Sequence, residues 1–306
     1  LPNLANIDYI ERINRAIDFV VDHLGDPIQL DDVARAAAFS PFHFHRIFRG
    51  LMGETLAAFV KRVRLERAVQ IMAHRPAVSL TEVALACGFS SSSDFSRSFR
   101  KHYGVAPRHF DIKALRATHR RSLQKAVSGN SSPHRLERLP VGENPDGFSV
   151  ELRSLPPNRV AYIRVHRPYE GDGVPRAAQR LVAWARERGL ESGQWLGYQW
   201  EDPDVVPIER CRYDVGLVVP PGTTGGGEVG IYRFAAMRVA ELEISGPIDL
   251  EQRALDWLLL TWLPRSGYAP ASQPMFEAWR GLPFAHGMNR FDLCLWLPLA
   301  DRASPL

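Results

Sequence analysis

Leu80-Thr81-Glu82-Val83-Ala84-Leu85-Ala86-Cys87-Gly88-Phe89-Ser90 echoes a stretch fifty residues earlier, Leu30-Asp31-Asp32-Val33-Ala34-Arg35-Ala36-Ala37-Ala38-Phe39-Ser40. The agreement continues past both stretches. Phe44, Arg46, Phe48 and Arg49 recur as Phe95, Arg97, Phe99 and Arg100 at an offset of 51, so one residue is inserted near the join. Two copies of one supersecondary unit are implied. In each copy Leu30, Val33 and Ala34, or Leu80, Val83 and Ala84, have the i, i+3, i+4 spacing of one buried helical face. Small Ala34 and Ala84 admit a close second helix, and Ala38 or Gly88 stands where the chain must turn sharply. Ser40, and one of Ser90 to Ser92, can cap that second helix by accepting a hydrogen bond from its free N–H groups. The helix then turns Phe44, Ile47 and Phe48, or Phe95 and Phe99, inward. Its outer face carries Phe42, His45 and Arg46 in the first copy and Ser92, Ser93, Ser96 and Arg97 in the second.

A helix, a sharp turn and a second helix with a polar outer face make a helix-turn-helix, whose second helix enters the major groove of DNA. Between the copies, Thr55 to His74 reads as one helix without internal Gly or Pro, ended by Pro76. Such a helix is a rod of about 30 Å, against about 34 Å between successive major grooves on one DNA face. One chain can therefore place two recognition helices and read a bipartite site. The charge agrees: residues 1–125 hold 19 Lys/Arg against 12 Asp/Glu, whereas residues 126–306 hold 19 against 22. A basic half favours a polyanion through counterion release, although a solvated basic face gives the same balance.

Gly88-Phe89-Ser90-Ser91-Ser92-Ser93-Asp94-Phe95-Ser96-Arg97-Ser98-Phe99-Arg100-Lys101-His102-Tyr103-Gly104-Val105-Ala106-Pro107 resembles the signature of the AraC/XylS family of transcription regulators, and the resemblance extends over about residues 8–112. It implies seven helices with paired helix-turn-helix units, and double-stranded DNA as partner. It also places Phe42, His45 and Arg46 on the first recognition helix and Ser92, Ser93, Ser96 and Arg97 on the second. Arg46 and Arg97 have the fork to bond guanine O6 and N7, or to grip phosphate or a carboxylate instead. The serines are too short for bidentate readout and suit close backbone approach, phosphate or water-mediated contact. Phe42 can meet thymine methyls or pack partly into the core, and His45 is equally open. Arg62, Arg64 and Lys101 read as phosphate-positioning or solvated charge.

At 306 residues, 45% hydrophobic and 24% charged, the chain has the composition of ordinary two-domain globular proteins. Its longest apolar stretch, Leu255 to Leu263, is too short to span a membrane, and the N-terminus lacks the zones of a signal peptide, so a cytoplasmic location is expected. Cys87, Cys211 and Cys294 lie far apart and read as buried free thiols. His43 and His45, two apart, point to different helix faces, so neither metal nor cofactor is expected.

Ser128 to Gly147, with Gly129-Asn130-Ser131-Ser132-Pro133 and Gly142-Glu143-Asn144-Pro145-Asp146-Gly147, reads as a linker. Beyond it a second duplication appears. Arg159-Val160-Ala161 and Pro168 are matched by Arg238-Val239-Ala240 and Pro247; Tyr213-Asp214-Val215-Gly216-Leu217-Val218-Val219-Pro220 is matched by Phe291-Asp292-Leu293-Cys294-Leu295-Trp296-Leu297-Pro298. Each copy is a strand, helix, strand, strand unit. The helices fall at 174–188 and 249–263, the middle strands at 194–201 and 274–279, and a cleft is expected along the pseudo-twofold seam. The expected fold class is thus multidomain: an all-α N-terminal domain with two helix-turn-helix units (1–125), a linker (126–147) and an α+β domain of duplicated strand-helix-strand-strand units (148–306).

With Arg212-Tyr213-Asp214 opening one strand and Pro274-Met275-Phe276-Glu277 in another, residues 148–300 resemble the GyrI-like small-molecule-binding domain. Such domains look like sensors of lipophilic, often cationic compounds, which implies multidrug-type effector sensing. A carboxylate between aromatic walls is the matching chemistry. The resemblance makes Glu277 the first candidate, Glu201 the second, and Trp200, Trp279 and Trp296 candidate walls. Trp257 and Trp262 read as packing. No nucleophile elbow, phosphate loop or metal site is present, so no catalytic residue is expected. Some GyrI-like proteins resemble hydrolases using a Trp and a Glu, and a protein-docking module is a third alternative. The expected protein is an effector-modulated transcription activator with RNA polymerase as a further partner, no membrane partner, and a monomeric or dimeric state.

Overall fold

The computed structural model describes residues 4–128, 139–287 and 289–301. They divide into two compact units, the main run of the first ending at Arg116 and the second starting at Ala117.

The first unit is helical: α1 (Leu4–Asp22), α2 (Leu30–Ala36), α3 (Pro41–Met52), α4 (Leu56–His74), α5 (Leu80–Ala86) and α6 (Ser92–Tyr103), with α7 (Ile112–Ser128) running on across the boundary. Each expected helix-turn-helix is present, α2–α3 and α5–α6. Ala38 at φ 53° and Gly88 at φ 75° make the sharp turns. Ser40 caps α3 by accepting from the His43 N–H, and Ser91 caps α6 by accepting from the Asp94 N–H at 3.1 Å. The inserted residue thus lies in the turn, which lengthens the serine run before α6. Val33, Ala34, Phe44 and Phe48 bury against Ile13, Ile17 and Val20 of α1 and Phe59 and Val60 of α4. The second copy buries Val83, Ala84, Phe95 and Phe99 in the same pattern.

Three expectations need correction. Leu30 is exposed, not inward; as the first residue of α2 it precedes the turn that packs. Arg62 is buried, its guanidinium donating to Glu54 and Glu66 at 2.6 and 3.0 Å. Arg64 donates to the backbone oxygens of Leu24 and Asp26 at 2.9 and 2.6 Å, tying α4 to the α1–α2 connection. Both arginines are structural, because α4 packs against α3, α5 and α6 and has little free face. Lys101 is exposed.

The second unit is built on one antiparallel sheet of nine strands among the described residues. In chain order come β1 (Glu151–Leu155), β2 (Asn158–His166), helix α8 (Gly173–Arg186), β3 (Trp195–Gln199), β4 (Arg212–Val219), β5 (Gly230–Phe234), β6 (Met237–Gly246), helix α9 (Ile248–Trp257), β7 (Tyr268–Pro270), β8 (Met275–Trp279) and β9 (Phe291–Asp301). The order across the sheet is β1-β6-β9-β8-β3-β4-β2-β5, with β7 on the free stretch of β9. The two repeats, β2-α8-β3-β4 and β6-α9-β8-β9, meet where β3 pairs β8, with Gly197 opposite Glu277. α8 packs on β2 and β4, and α9 on β6, on one face of the sheet. The helix expected at 249–263 ends as an α-helix at Trp257, then continues as a π turn over Leu258–Trp262 and a 3-10 turn to Arg265, where Pro264 ends it.

Residues 129–138 of the expected linker lie outside the described residues. Residues 139–147 pack on the second unit: the Leu139 N–H donates to Asp256, the Gly142 N–H to the Thr261 hydroxyl, and Asp146 pairs with Arg253.

Candidate functional site

Two surfaces carry the chemistry, one in each unit. On α3 the residues Phe42, His45, Arg46 and Arg49 stand at i, i+3, i+4 and i+7 and are all exposed, Phe42 at 78%. On α6 the equivalent stripe is Ser93, Ser96, Arg97 and Arg100, with Ser93 and both arginines exposed and Ser96 half-buried. Ser92 opens α6 and is also half-buried. Among the described residues Arg46, Arg49, Arg97 and Arg100 make no ion pair or side-chain hydrogen bond, in contrast to the engaged Arg62 and Arg64. Four free guanidinium groups on two helix faces suit phosphate oxygens and base edges. Arg49 and Arg100 were legible in the repeat itself, which conserves them between the two copies within this chain.

In the second unit strand alternation separates the candidates. Residues opposite one another across the sheet share a face, so Ile163, Val215, Gly197, Glu277 and Leu295 face the helices, as do Tyr213, Gln199 and Met275. Because the helices cover the flanking strands, the central seam stays partly open: Gln199, Met275 and Glu277 remain half-buried. The Tyr213 hydroxyl donates to Glu277 Oε2 at 2.5 Å. Gly197 leaves the room for this contact; a Cβ there would lie 1.8 Å from the Tyr213 hydroxyl and 2.8 Å from Glu277 Oε2. Trp279 shares the face and is buried, with its Nε1 beside the Tyr213 hydroxyl. Tyr169 hydrogen-bonds Gln199 at 2.5 Å, while Glu277 acts by charge on Glu251 of α9 and both carboxyls act by charge on Tyr213. Burial lifts the Glu277 carboxyl to about 7, against the pull of the Tyr213 hydrogen bond. Burial, then repulsion from Glu277, raises Glu251 well above the usual carboxylate range.

The remaining candidates lie elsewhere. Trp200 and Trp296 are on the opposite sheet face, Trp200 donating to Asp214 at 2.8 Å and Trp296 to Glu241 at 2.6 Å. Glu201 is buried against Arg212, accepting from its N–H at 2.8 Å and its Nε at 2.7 Å. The five expected ligand residues therefore do not form one pocket; Glu277 and Trp279 share a face, joined by Tyr213, Gln199, Tyr169 and Glu251. Glu251 had a readable signal: with Ala254 and Leu258 it lies on the buried i, i+3, i+7 stripe of its helical stretch, a charge on an apolar line. Tyr213 had none without the register of β4 on β3. A separate open groove of about 680 Å³ on the opposite face includes Arg153, Glu241, Cys294 and Trp296, but its Glu241 is already bonded to Arg153 and Trp296.

Comparison with known proteins matches residues 33–111 to a helix-turn-helix domain family and residues 148–300 to the GyrI-like small molecule binding domain family. The chain belongs to the AraC-type regulators that carry a GyrI-like domain. It is 27% identical to the HTH-type transcriptional regulator YbfP of Bacillus subtilis over 66% of this chain and 72% of that one. It is 30% identical to DNA gyrase inhibitor 2 of Dickeya dadantii over 43% of this chain and 85% of that protein. To the transcriptional regulator Rob of Salmonella typhimurium it is 30% identical over 40% of this chain and 39% of Rob. The chain thus spans less than half of Rob's length. This AraC-type, GyrI-like chain is a DNA-binding transcription regulator with a small-molecule-binding domain. No helix among the described residues is long and apolar enough to cross a membrane.

Proposed function

We propose that this regulator reads a bipartite major-groove site through Phe42, His45, Arg46, Ser92, Ser93, Ser96 and Arg97, and that a lipophilic, cationic effector bound at Glu277 modulates it as a transcription activator. Residues 1–125 form the DNA-binding part, 126–147 the connection and 148–306 the effector-binding part. The observation that carries the reading is the pair of exposed stripes on α3 and α6, each with two unengaged arginines. Arg49 and Arg100 join the contact set as phosphate grips. RNA polymerase is the further partner, the location is cytoplasmic, and one chain suffices for the bipartite site. The effector half is supported by a carboxylate in an open seam beside Trp279 and Tyr213. Trp200, Trp296 and Glu201 act there as framework rather than ligand contacts.

The test has two arms. Selecting bound fragments of genomic DNA should return one bipartite sequence positioned near promoters, whereas uniform binding to all fragments overturns sequence-specific reading. Aromatic cations should quench tryptophan fluorescence and raise the melting temperature in the wild type and not in Glu277→Gln. An acid group poised at about 7 also suits proton transfer. Turnover of a reactive small molecule, abolished by Glu277→Gln, would replace the non-enzymatic sensor with a hydrolase.

A further inference from the structure

The sheet face opposite Glu277 is filled unevenly. Tyr162, Tyr198, Phe234 and Phe276 belong to one packed cluster there, whereas Ala278 of β8 and Cys294 of β9, directly opposite one another, are small. This step in side-chain volume makes the floor of the groove of about 680 Å³, a size suited to a small molecule. Its walls are charged, and each charge is already balanced. Arg153 of β1 donates through Nη1 to Glu241 Oε2 of β6 at 2.7 Å, Arg280 after β8 donates to Glu243 at 2.5 Å, and Glu191 pairs with Arg186 at 3.1 Å. A cation or an anion therefore gains no net attraction from these walls. What they leave over is hydrogen-bonding capacity. Trp296 Nε1 donates to the same Glu241 Oε2 at 2.6 Å, so Glu241 Oε1 accepts no hydrogen bond among the described residues. Arg153 spends one of its five N–H donors on Glu241. An acceptor and a set of donors thus stand side by side, next to an indole ring.

We propose that this groove is a second ligand site, for uncharged planar aromatic lactams. The ring lies against Trp296 over Ala278 and Cys294, the lactam N–H donates to Glu241 Oε1, and the lactam carbonyl accepts from the Arg153 guanidinium. A lactam holds its N–H and C=O on one edge, which is the complement of a carboxylate oxygen beside a guanidinium. An ester or a ketone lacks the donor; an amidinium lacks the acceptor and brings a charge. The site goes beyond the cation reading of the Glu277 seam: none of Glu277, Tyr213 and Gln199 borders the groove.

The experiment is calorimetric titration of the full chain at neutral pH with isoquinolin-1-one and with its N-methyl derivative, which keeps the ring and the carbonyl but has no N–H. The wild type should bind one molecule of the lactam, and the N-methyl derivative about tenfold more weakly, because the bond to a charged acceptor is gone. Glu241→Gln and Arg153→Ala should each weaken lactam binding about tenfold, while Glu277→Gln should bind it as the wild type does. Arg153 is 52% exposed, so its variant keeps the fold and supplies the result should Glu241→Gln melt well below the wild type. Failure of the lactam to bind the wild type overturns the proposal and leaves the Glu277 reading standing. Equal affinity for the two compounds, or unchanged binding in Arg153→Ala, also overturns it. Loss of lactam binding in Glu277→Gln overturns it by moving the ligand to the seam.

Discussion

The two sharp turns show how differently one backbone state is tolerated. Ala38 and Gly88 both have positive φ, a region that costs a residue with a Cβ about 1 kcal/mol. Ala38 is exposed, and Ala38→Gly should raise stability by about 0.5–1 kcal/mol. At Gly88 a Cβ would lie 2.5 Å from the Leu24 oxygen and 2.7 Å from the Arg64 guanidinium. Gly88→Ala should therefore cost about 2–4 kcal/mol and loosen the Arg64 clamp, as urea denaturation of the two variants would show. Glu201 offers a second test. It accepts from the backbone N–H and the guanidinium of buried Arg212, so Glu201→Gln, which removes the charge of this buried pair, should cost about 3–5 kcal/mol and leave the affinity for effector cations unchanged. That pairing was invisible in the chain, where Glu201 looked like a carboxylate beside an aromatic; the partner is eleven residues away and is brought close by the β3–β4 pairing. Glu277 was readable as a strand carboxyl, but Tyr213 and Gly197 became its neighbours only through register.

At the scale of elements, helices were more legible than strands. Capping serines, the spacing of Val33 and Ala34 or Val83 and Ala84, and the Gly-free run 55–74 each mark a helix by local chemistry, and all of these helices are present. β1, β5 and β7 are short and join the sheet by long-range pairing, so little local pattern announces them. The same locality makes the recognition helices separable by mutation. Arg97→Ala on α6 should relax preference at one base step, costing about 1–3 kcal/mol at the preferred sequence alone. Arg49→Ala and Arg100→Ala should instead weaken all sequences alike, each reducing the slope of log affinity against log salt by about 0.9. Fluorescence anisotropy over a salt series, on specific and scrambled duplexes, separates the two classes. A uniform loss for Arg97→Ala would reassign it to phosphate.

For the molecule as a whole, both units arise by duplication but use it in opposite ways. The second unit joins its copies directly, β3 against β8, and makes one continuous sheet from two halves. The first keeps its copies apart on α4, a helix of 19 residues or about 28 Å, and so presents two helix-turn-helix units from one chain. Arg62 and Arg64 stiffen that arrangement: one is buried between Glu54 and Glu66, the other is clamped to Leu24 and Asp26. A stiff spacer fixes both the distance and the rotation between recognition helices, which a flexible tether between two domains would not. Half-sites are then expected about 10 bp apart on one DNA face. Inserting 5 bp between them turns the second half-site to the far side of the duplex; inserting 10 bp restores the face but moves it about 34 Å further than the rod can reach. Both insertions should lower affinity to that of a single half-site, a loss of at least about thirtyfold if two or more base contacts vanish at about 1–3 kcal/mol each. Recovery of binding with the 10 bp insertion, measured by gel shift at constant salt, would show that the two heads are not held by α4 and that a second chain or a flexible joint bridges the site.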